Sequence, residues 1–376
     1  MTRFPFLVTC EARTEGALRD ELVGLGIRKP RGGPGRVTFE APLKEAMRVC
    51  LHARTAMRVL LQVGYGPCAN SDELYETVRS VNWSEHLDAQ HTFAIHAHVR
   101  NSETLTHSQY VAQKVKDAIA DGFRDNTGSR PNVERNDPDV PIVVYIDGTE
   151  AELYLDLAGP ALHRRGYRVA MTDAPLKETL ACAVLALGQV TAEKAFLDPM
   201  CGSGTFAIEQ AMRARRMAPG LGRTFAFERW PSQEHIPLWK DLCEAARAEI
   251  LPDCPAPIFA SDQDGNAIAA ARRNAQVAGV EKDIAFAVKE CSQATPPAAE
   301  GTVCFNPPYG ERVVAQNFRP IARALSMFWG WYVVVISPER FLQPHLGQAA
   351  MFCHRLSNGG LPVELQRFSF VSARNP

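Results

Sequence analysis

From about residue 175 the chain alternates short apolar runs with helical stretches, and this alternation limits the fold more than any other feature. Residues 194–197, 258–261, 284–288, 302–305 and 331–337 have strand composition, while 205–216, 265–278 and 318–328 have helical spacing. Parallel strands need crossovers of this kind, so five parallel strands are predicted. Residues 349–356 and 363–371 flank Asn358-Gly359-Gly360, which predicts a closing antiparallel hairpin. The fold class is therefore α/β, with a doubly wound sheet in the C-terminal half.

The preceding residues follow a different order. Residues 1–65 read as strand, helix, strand, helix, strand, with a Gly/Pro-rich turn at 31–35. Residues 66–170 read as a second α+β unit, with a helix over 108–123 ending at Gly122 and paired strands joined by Asp147-Gly148-Thr149. Three domains are expected: 1–65, 66–170 and 171–376. An insertion at 217–255, containing Trp230 and Trp239, is expected to cover the site or an RNA-facing edge.

At 376 residues the chain exceeds a typical single core. No apolar run reaches the ~20 residues of a membrane span, and the N-terminus reads as a first strand rather than a leader. The ten cysteines include no C-x-x-C pair, which fits reduced thiols in a cytoplasm and gives no zinc pattern. A cytoplasmic, metal-free protein is expected. The net charge of −1 argues against strong nonspecific binding to polyanions. Basic residues nevertheless cluster at Arg28, Lys29, Arg31 and Arg36, at His163, Arg164, Arg165 and Arg168, and at Arg213, Arg215, Arg216 and Arg223. For any RNA partner the first two clusters would have to share a face.

Chemistry concentrates where predicted strands end. The loop Asp198-Pro199-Met200-Cys201-Gly202-Ser203-Gly204-Thr205 links the first strand to a helix. Its glycines allow a tight turn and close approach of backbone to a ligand, and free N–H groups at a helix start favour a carboxylate. The Gly-Lys-Ser/Thr of a phosphate loop is absent. So is the third glycine of a dinucleotide fingerprint, since Ala207 or Ile208 occupies its place. Asp198 suits a ligand amino group, and Asp262, beside Gln263, suits two ribose hydroxyls. Glu290, followed by Cys291, could meet an adenine amine. Singly, Asp262 could instead be a helix cap and Glu290 a surface carboxylate.

Residues 302–305 then run into Asn306-Pro307-Pro308-Tyr309-Gly310. Two prolines stop the strand and remove donors, so carbonyls there can face a cleft. Asn306 offers an amide that both accepts and donates, and Tyr309 a flat face for stacking. Together they suit an exocyclic amine on a planar ring. A simple Pro-Pro turn is the bland alternative.

Three blocks carry a family resemblance: 162–168 with 174–178, Leu197 to Thr205, and Asn306-Pro307-Pro308-Tyr309-Gly310-Glu311-Arg312. The chain resembles the THUMP-domain RNA guanine-N2 methyltransferases, and specifically the branch acting on large-subunit (23S) ribosomal RNA. The resemblance spans the chain and is weakest in 1–65. It implies a ferredoxin-like domain, a THUMP domain on RNA, and a Rossmann-like domain holding S-adenosylmethionine. The cofactor residues it implies are Asp198, Pro199, Cys201, Gly202, Ser203, Gly204, Thr205, Asp262, Gln263, Glu290, Cys291 and Asn306. Asn306, Pro307, Pro308 and Tyr309 would handle the target base. Glu290 stands where the family has an aspartate. Some relatives carry a second methyltransferase; a chain stopping at Pro376 would supply the guanine-N2 activity alone. Transfer RNA as substrate, and a non-catalytic RNA-binding assembly factor, are the competing readings.

Overall fold

The computed structural model describes residues 2–171, 176–308, 318–338, 340 and 342–370. The chain divides into two compact units: residues 1–9, 21–162 and 223–244 form the first, and 10–20, 163–222 and 245–376 the second.

The first unit holds eight strands: β1 (Phe4–Thr9), β2 (Arg31–Gly33), β3 (Arg36–Ala41), β4 (Arg58–Pro67), β5 (Thr92–Arg100), β6 (Asn132–Val133), β7 (Val140–Asp147) and β8 (Glu150–Asp156). They form one mixed sheet in the order β2-β3-β1-β4-β8-β7-β5-β6. The two predicted N-terminal units thus share a sheet, because β4 pairs antiparallel with β8. The chain up to residue 162 has the helices α1 (Glu15–Gly24), which divides between the two units at Asp20, α2 (Leu43–His52), α3 (Ser71–Arg79) and α4 (Ser108–Thr127).

Two local expectations are corrected. Residues 31–33, predicted as a turn, are the edge strand β2, whose pairing with β3 satisfies its backbone. Helix α4 runs past Gly122 and stops at left-handed Gly128 (φ 73°). The bare Gly122 leaves room for Arg79, which reaches Asp125 at 2.8 Å.

Residues 223–244 of the insertion, expected as a cover, are a packed part of this first unit. Phe225 and Phe227 stack, and Trp239 meets both edge-on at 5.3 and 5.0 Å. Arg223 donates to the carbonyls of Ala158 and Ala161 at 3.1 Å, and Arg229 grips Asp137 through two nitrogens. Large aromatic burial and donors matched to chain carbonyls account for this placement.

The second unit contains α5 (Glu178–Leu187), β9 (Ala195–Asp198), α6 (Thr205–Ala214), the end of α7 (Ile236–Ala248), β10 (Ile258–Asp262), α8 (Gly265–Val277), β11 (Ile284–Val288), β12 (Gly301–Phe305), α9 (Arg319–Leu325), β13 (Trp331–Ser337), α10 (Gln343–Leu346), β14 (Phe352–Asn358) and β15 (Leu361–Ser369). The sheet order is β11-β10-β9-β12-β13-β15-β14, with β9 to β13 parallel and the last hairpin antiparallel. Alternate strand residues serve two cores. Phe196, Cys304, Val334 and Ile336 pack with Leu180, Phe206, Ile208 and Ala271. Leu197, Val303, Phe305 and Val335 pack with Ile321, Leu325 and Phe328 on the other side. Each large side chain so buried contributes about 1.5–3 kcal/mol. Helix α5 was not predicted because Glu178 to Leu185 are all buried, so it shows no polar stripe and no period.

Candidate active site

The strand order reverses at β9, whose neighbours are β10 on one side and β12 on the other. A crevice at such a switch point, beyond the carboxyl ends of the strands, is where open α/β sheets bind ligands. Asp198 closes β9, Asp262 closes β10, Glu290 follows β11 and Asn306 follows β12. The predicted residues therefore share one edge of one sheet.

The loop after β9 is tightly built. Gly202 and Gly204 have φ of 51° and 88°, left-handed values that disfavour other residues. A Cβ on Gly204 would lie 3.0 Å from the Cβ of Ala271, so the missing side chain lets the loop close onto α8. The loop is tied to β10 twice: Cys201 N–H donates to the Ser261 carbonyl and Gly202 N–H to Asp262 Oδ2, both at 2.9 Å. Asp262 Oδ1 accepts from Asp264 N–H at 3.0 Å, which fixes the carboxylate while each oxygen keeps a lone pair. The cap of α8 is Asp264, accepting from Asn266 N–H, so Asp262 is not consumed in capping.

Electrostatics sets Asp198 apart. It is 1% exposed, and burial pushes its carboxyl well above the usual carboxylate range. The Asp262 charge adds to the rise, and the Met200 N–H, at 3.2 Å, opposes it. Cys291 is pushed up to about 12 by burial and then by the charges of Asp198 and Asp262. The Asp198 and Asp262 carboxyl groups crowd one crevice, an arrangement suited to a cationic amine and a donor-rich sugar.

Asn306 is half-buried, Pro307 buried and Pro308 exposed. The Oδ1 of Asn306 is buried and accepts no hydrogen bond from any described residue. Leaving such an acceptor unpaired costs about 1–3 kcal/mol. Tyr309, Gly310, Glu311 and Arg312 lie outside the described residues, as do Ala174 and Pro175. Gln263 and Glu290 are exposed, and Glu290 accepts from the Ser292 hydroxyl at 2.9 Å.

The basic run 163–168 behaves differently from expectation. Arg165 is 6% exposed and pairs at 3.1 Å with Glu209, which also accepts from the Tyr167 hydroxyl at 3.0 Å. Arg168 holds Glu178 at 2.8 Å and donates to the hydroxyls of Ser203 and Thr205, each at 3.2 Å. Arg168 is an inward strut of the glycine loop and Arg165 a buried partner of α6, and the two do not form an RNA-facing surface. The Ser203 and Thr205 hydroxyls, expected at the cofactor, are turned to Arg168. Buried charges require partners, and Glu178 and Glu209 supply them.

Asn274 was missed. It is fully buried in α8, and its Oδ1 accepts from Val169 and Ala170 N–H while its Nδ2 donates to the carbonyls of Ala170 and Ser203, all within 3.0 Å. The sequence did carry a signal: Asn274 falls seven residues after Ala267 and three after Ala271 on the apolar stripe, where a polar residue needs a reason. Asn274→Ala should strand two N–H groups and two carbonyls, destabilising the second unit by about 3 kcal/mol. Urea unfolding would read this, and a loss under 1 kcal/mol would show that the clamp is dispensable.

A seven-stranded sheet in this order, with a glycine loop and paired carboxylates at its switch point, defines a Rossmann-like domain for a nucleoside-type ligand. Residues 165–363 match the description "RMKL-like, methyltransferase domain", and the chain belongs to that family. Residues 68–156 match the THUMP domain and 5–60 the RlmL ferredoxin-like domain. A ribosomal RNA large subunit methyltransferase K/L from Syntrophotalea carbinolica is 38% identical over 98% of this chain and 54% of its own length. The chain thus spans about half the length of such curated relatives. A Synechocystis protein provisionally named an RNA methyltransferase is 33% identical over 98% of this chain and 97% of its own. A solved structure provisionally named a methyltransferase, complexed with SAH, superposes with a TM-score of 0.89 at 28% identity over 98% of each chain.

No helix among the described residues is long and apolar enough to cross a membrane. Among the same residues no group of three His, Cys, Asp or Glu side chains is placed to hold a metal ion.

Proposed function

We propose that this chain is a cytoplasmic, S-adenosylmethionine-dependent RNA methyltransferase acting on the exocyclic N2 of a guanosine in large-subunit ribosomal RNA. The observation that carries the reading is the buried Oδ1 of Asn306, at the end of the strand beside β9, which accepts from no described residue. It wants an N–H donor, and an exocyclic amine brings two. The names of the relatives support RNA as substrate and the large-subunit RNA in particular. In this reading residues 1–65, 66–170 and 171–376 are the ferredoxin-like, THUMP and methyltransferase domains, and 223–244 is lent to the first unit.

The residues present suit the cofactor. Asp198 would hold its amino group, the N–H groups of the 201–204 loop its carboxylate, and Asp262 its ribose hydroxyls, with Glu290, Cys291 and Gln263 around the adenine. The bound cofactor supplies an electrophilic methyl group on a sulfonium. Asn306 Oδ1 and the Pro307 carbonyl accept the two N–H protons of the amine and fix its orientation, with the lone pair pointing outward. Tyr309 is assigned the stacking face for a base turned out of its helix. An aniline-like nitrogen needs little help from a base, so alignment contributes most of the rate. Exposed Arg28, Lys29 and Arg31 in the first unit are the remaining candidates for phosphate contact.

The test is nucleoside mass spectrometry on separated ribosomal and transfer RNA from a strain lacking this gene and from its parent. Loss of N2-methylguanosine from large-subunit RNA is expected. Loss from transfer RNA instead would move the substrate, and no loss in either pool would overturn the assignment.

A further inference from the structure

The first unit's sheet carries a cavity of about 610 Å³, lined by His98, Arg100, Tyr145, Asp147, Glu150 and Glu152 among others, that the proposed chemistry does not use. Two cross-strand rows build its wall. His98 on β5 lies beside Tyr145 on β7, which lies beside Glu152 on β8; one step on, Arg100, Asp147 and Glu150 repeat the arrangement. The His98 and Tyr145 rings stack at 5.0 Å and 19°, and Tyr145 is braced edge-on by Tyr154 at 5.9 Å. His98 is exposed at the sheet surface. Arg36 lines the cavity and pairs with Glu152 at 3.3 Å, while Arg100 pairs with Asp147 at 2.8 Å.

These pairs decide what the cavity can take. Both arginines already face a carboxylate, and Glu150 adds a further negative charge, so a phosphate is not what the wall recognises. A flat ring bearing N–H donors fits. It extends the His98–Tyr145 stack, and a carboxylate accepts from two adjacent donors on its edge. Among RNA bases guanine presents such a pair, N1–H beside the N2 amine. Burial, and then the Arg58 charge, hold the His98 imidazole below its ordinary pKa, which keeps it uncharged near neutral pH and suited to stacking.

We propose that this cavity is a second nucleobase site, taking an unpaired guanine of the substrate RNA on the His98–Tyr145 platform with its donor edge on Glu150. The proposal rests on the RNA reading above and adds a site remote in sequence from the one that carries the chemistry.

The test uses the intact chain and a ten-nucleotide single-stranded RNA with one guanosine, the same RNA with inosine in its place, and a fully paired duplex. His98→Ala, and Tyr145→Leu which keeps an apolar side chain against Tyr154, should each weaken single-strand binding about tenfold and leave the duplex unchanged. Inosine, lacking the N2 amine, should bind the native chain several-fold more weakly than guanosine, and Glu150→Gln should erase that difference. Unchanged single-strand affinity in both platform variants would overturn the site. Methyl transfer by the same variants at saturating large-subunit RNA separates the two readings. If transfer persists while affinity is unchanged, the second site falls and the methyltransferase assignment stands. If the native chain binds no RNA at all, both fall.

Discussion

Asn306→Ala should lower the turnover of methyl transfer by about 10²–10³-fold while the dissociation constant for S-adenosylmethionine changes by about twofold at most. The expectation follows from where the side chain sits. Its Oδ1 is buried at the end of β12 and meets no donor among the described residues, and the proposed function assigns it to the amine of the substrate. Removing it leaves Asp198, Asp262 and the glycine loop untouched, and those are the groups assigned to the cofactor. What disappears is the orientation of the amine. Misalignment of about 1 Å is enough to cost two orders of magnitude. Equilibrium binding of the cofactor and single-turnover transfer, measured on one preparation, separate the effects. A variant that turns over like the native chain would remove Asn306 from the mechanism. Equal loss of binding and turnover would instead mark it as part of the cofactor pocket.

Asp198→Asn should give opposite signs for stability and binding. A buried carboxyl whose pKa is raised on folding contributes stability that is fully present below its unfolded pKa of about 3.9 and lost as pH rises through the folded value. At neutral pH the free chain therefore bears a cost at this position. An asparagine is similar in shape, carries no charge and keeps an acceptor for Met200 N–H. The free variant should melt about 2–4 °C above the native chain at pH 7, the shift that ~1 kcal/mol produces in a domain of this size, with a smaller gap at pH 4. Binding goes the other way. The proposed cofactor's ammonium stabilises the ionised form of Asp198, whose proton is released to solvent on binding, so native affinity should rise with pH and the variant's should not. Loss of the buried charge partner should weaken binding by at least about 100-fold. Calorimetric titration at pH 6 and pH 8 reads both statements. A variant with native affinity at pH 8 would show that the amino group lies elsewhere.

The features legible in sequence were those whose cause is local. Asp198, Asp262 and the Asn306-Pro307-Pro308 turn each stand where an apolar run meets a residue that stops it, and strand ends set the ligand edge of a parallel sheet. The closing hairpin declared itself through Gly359-Gly360, which join β14 to β15. Residues whose role depends on distant partners were illegible. Arg165 and Arg168 read only as members of a basic cluster because Glu209 is 44 residues from one and Glu178 ten from the other. Only packing brings those pairs together, and burial then converts surface charge into struts. Helix α5 failed for the converse reason, since a helix buried all round has no periodic face.

The sequence by itself determined the order of strands and crossovers, the glycine loop, and the chemical character of the residues at each strand end, because each rests on propensity and punctuation within a few residues. Only the tertiary structure decided that β4 and β8 join two expected units into one sheet, that 223–244 packs into the first unit, and that Asn274 and Arg168 hold the loop. It alone decided, too, that the Asn306 Oδ1 is buried with no donor among the described residues. Hydrogen bonds and ion pairs between residues far apart in the chain are satisfied or left open by the packing of the whole, and no local pattern records which.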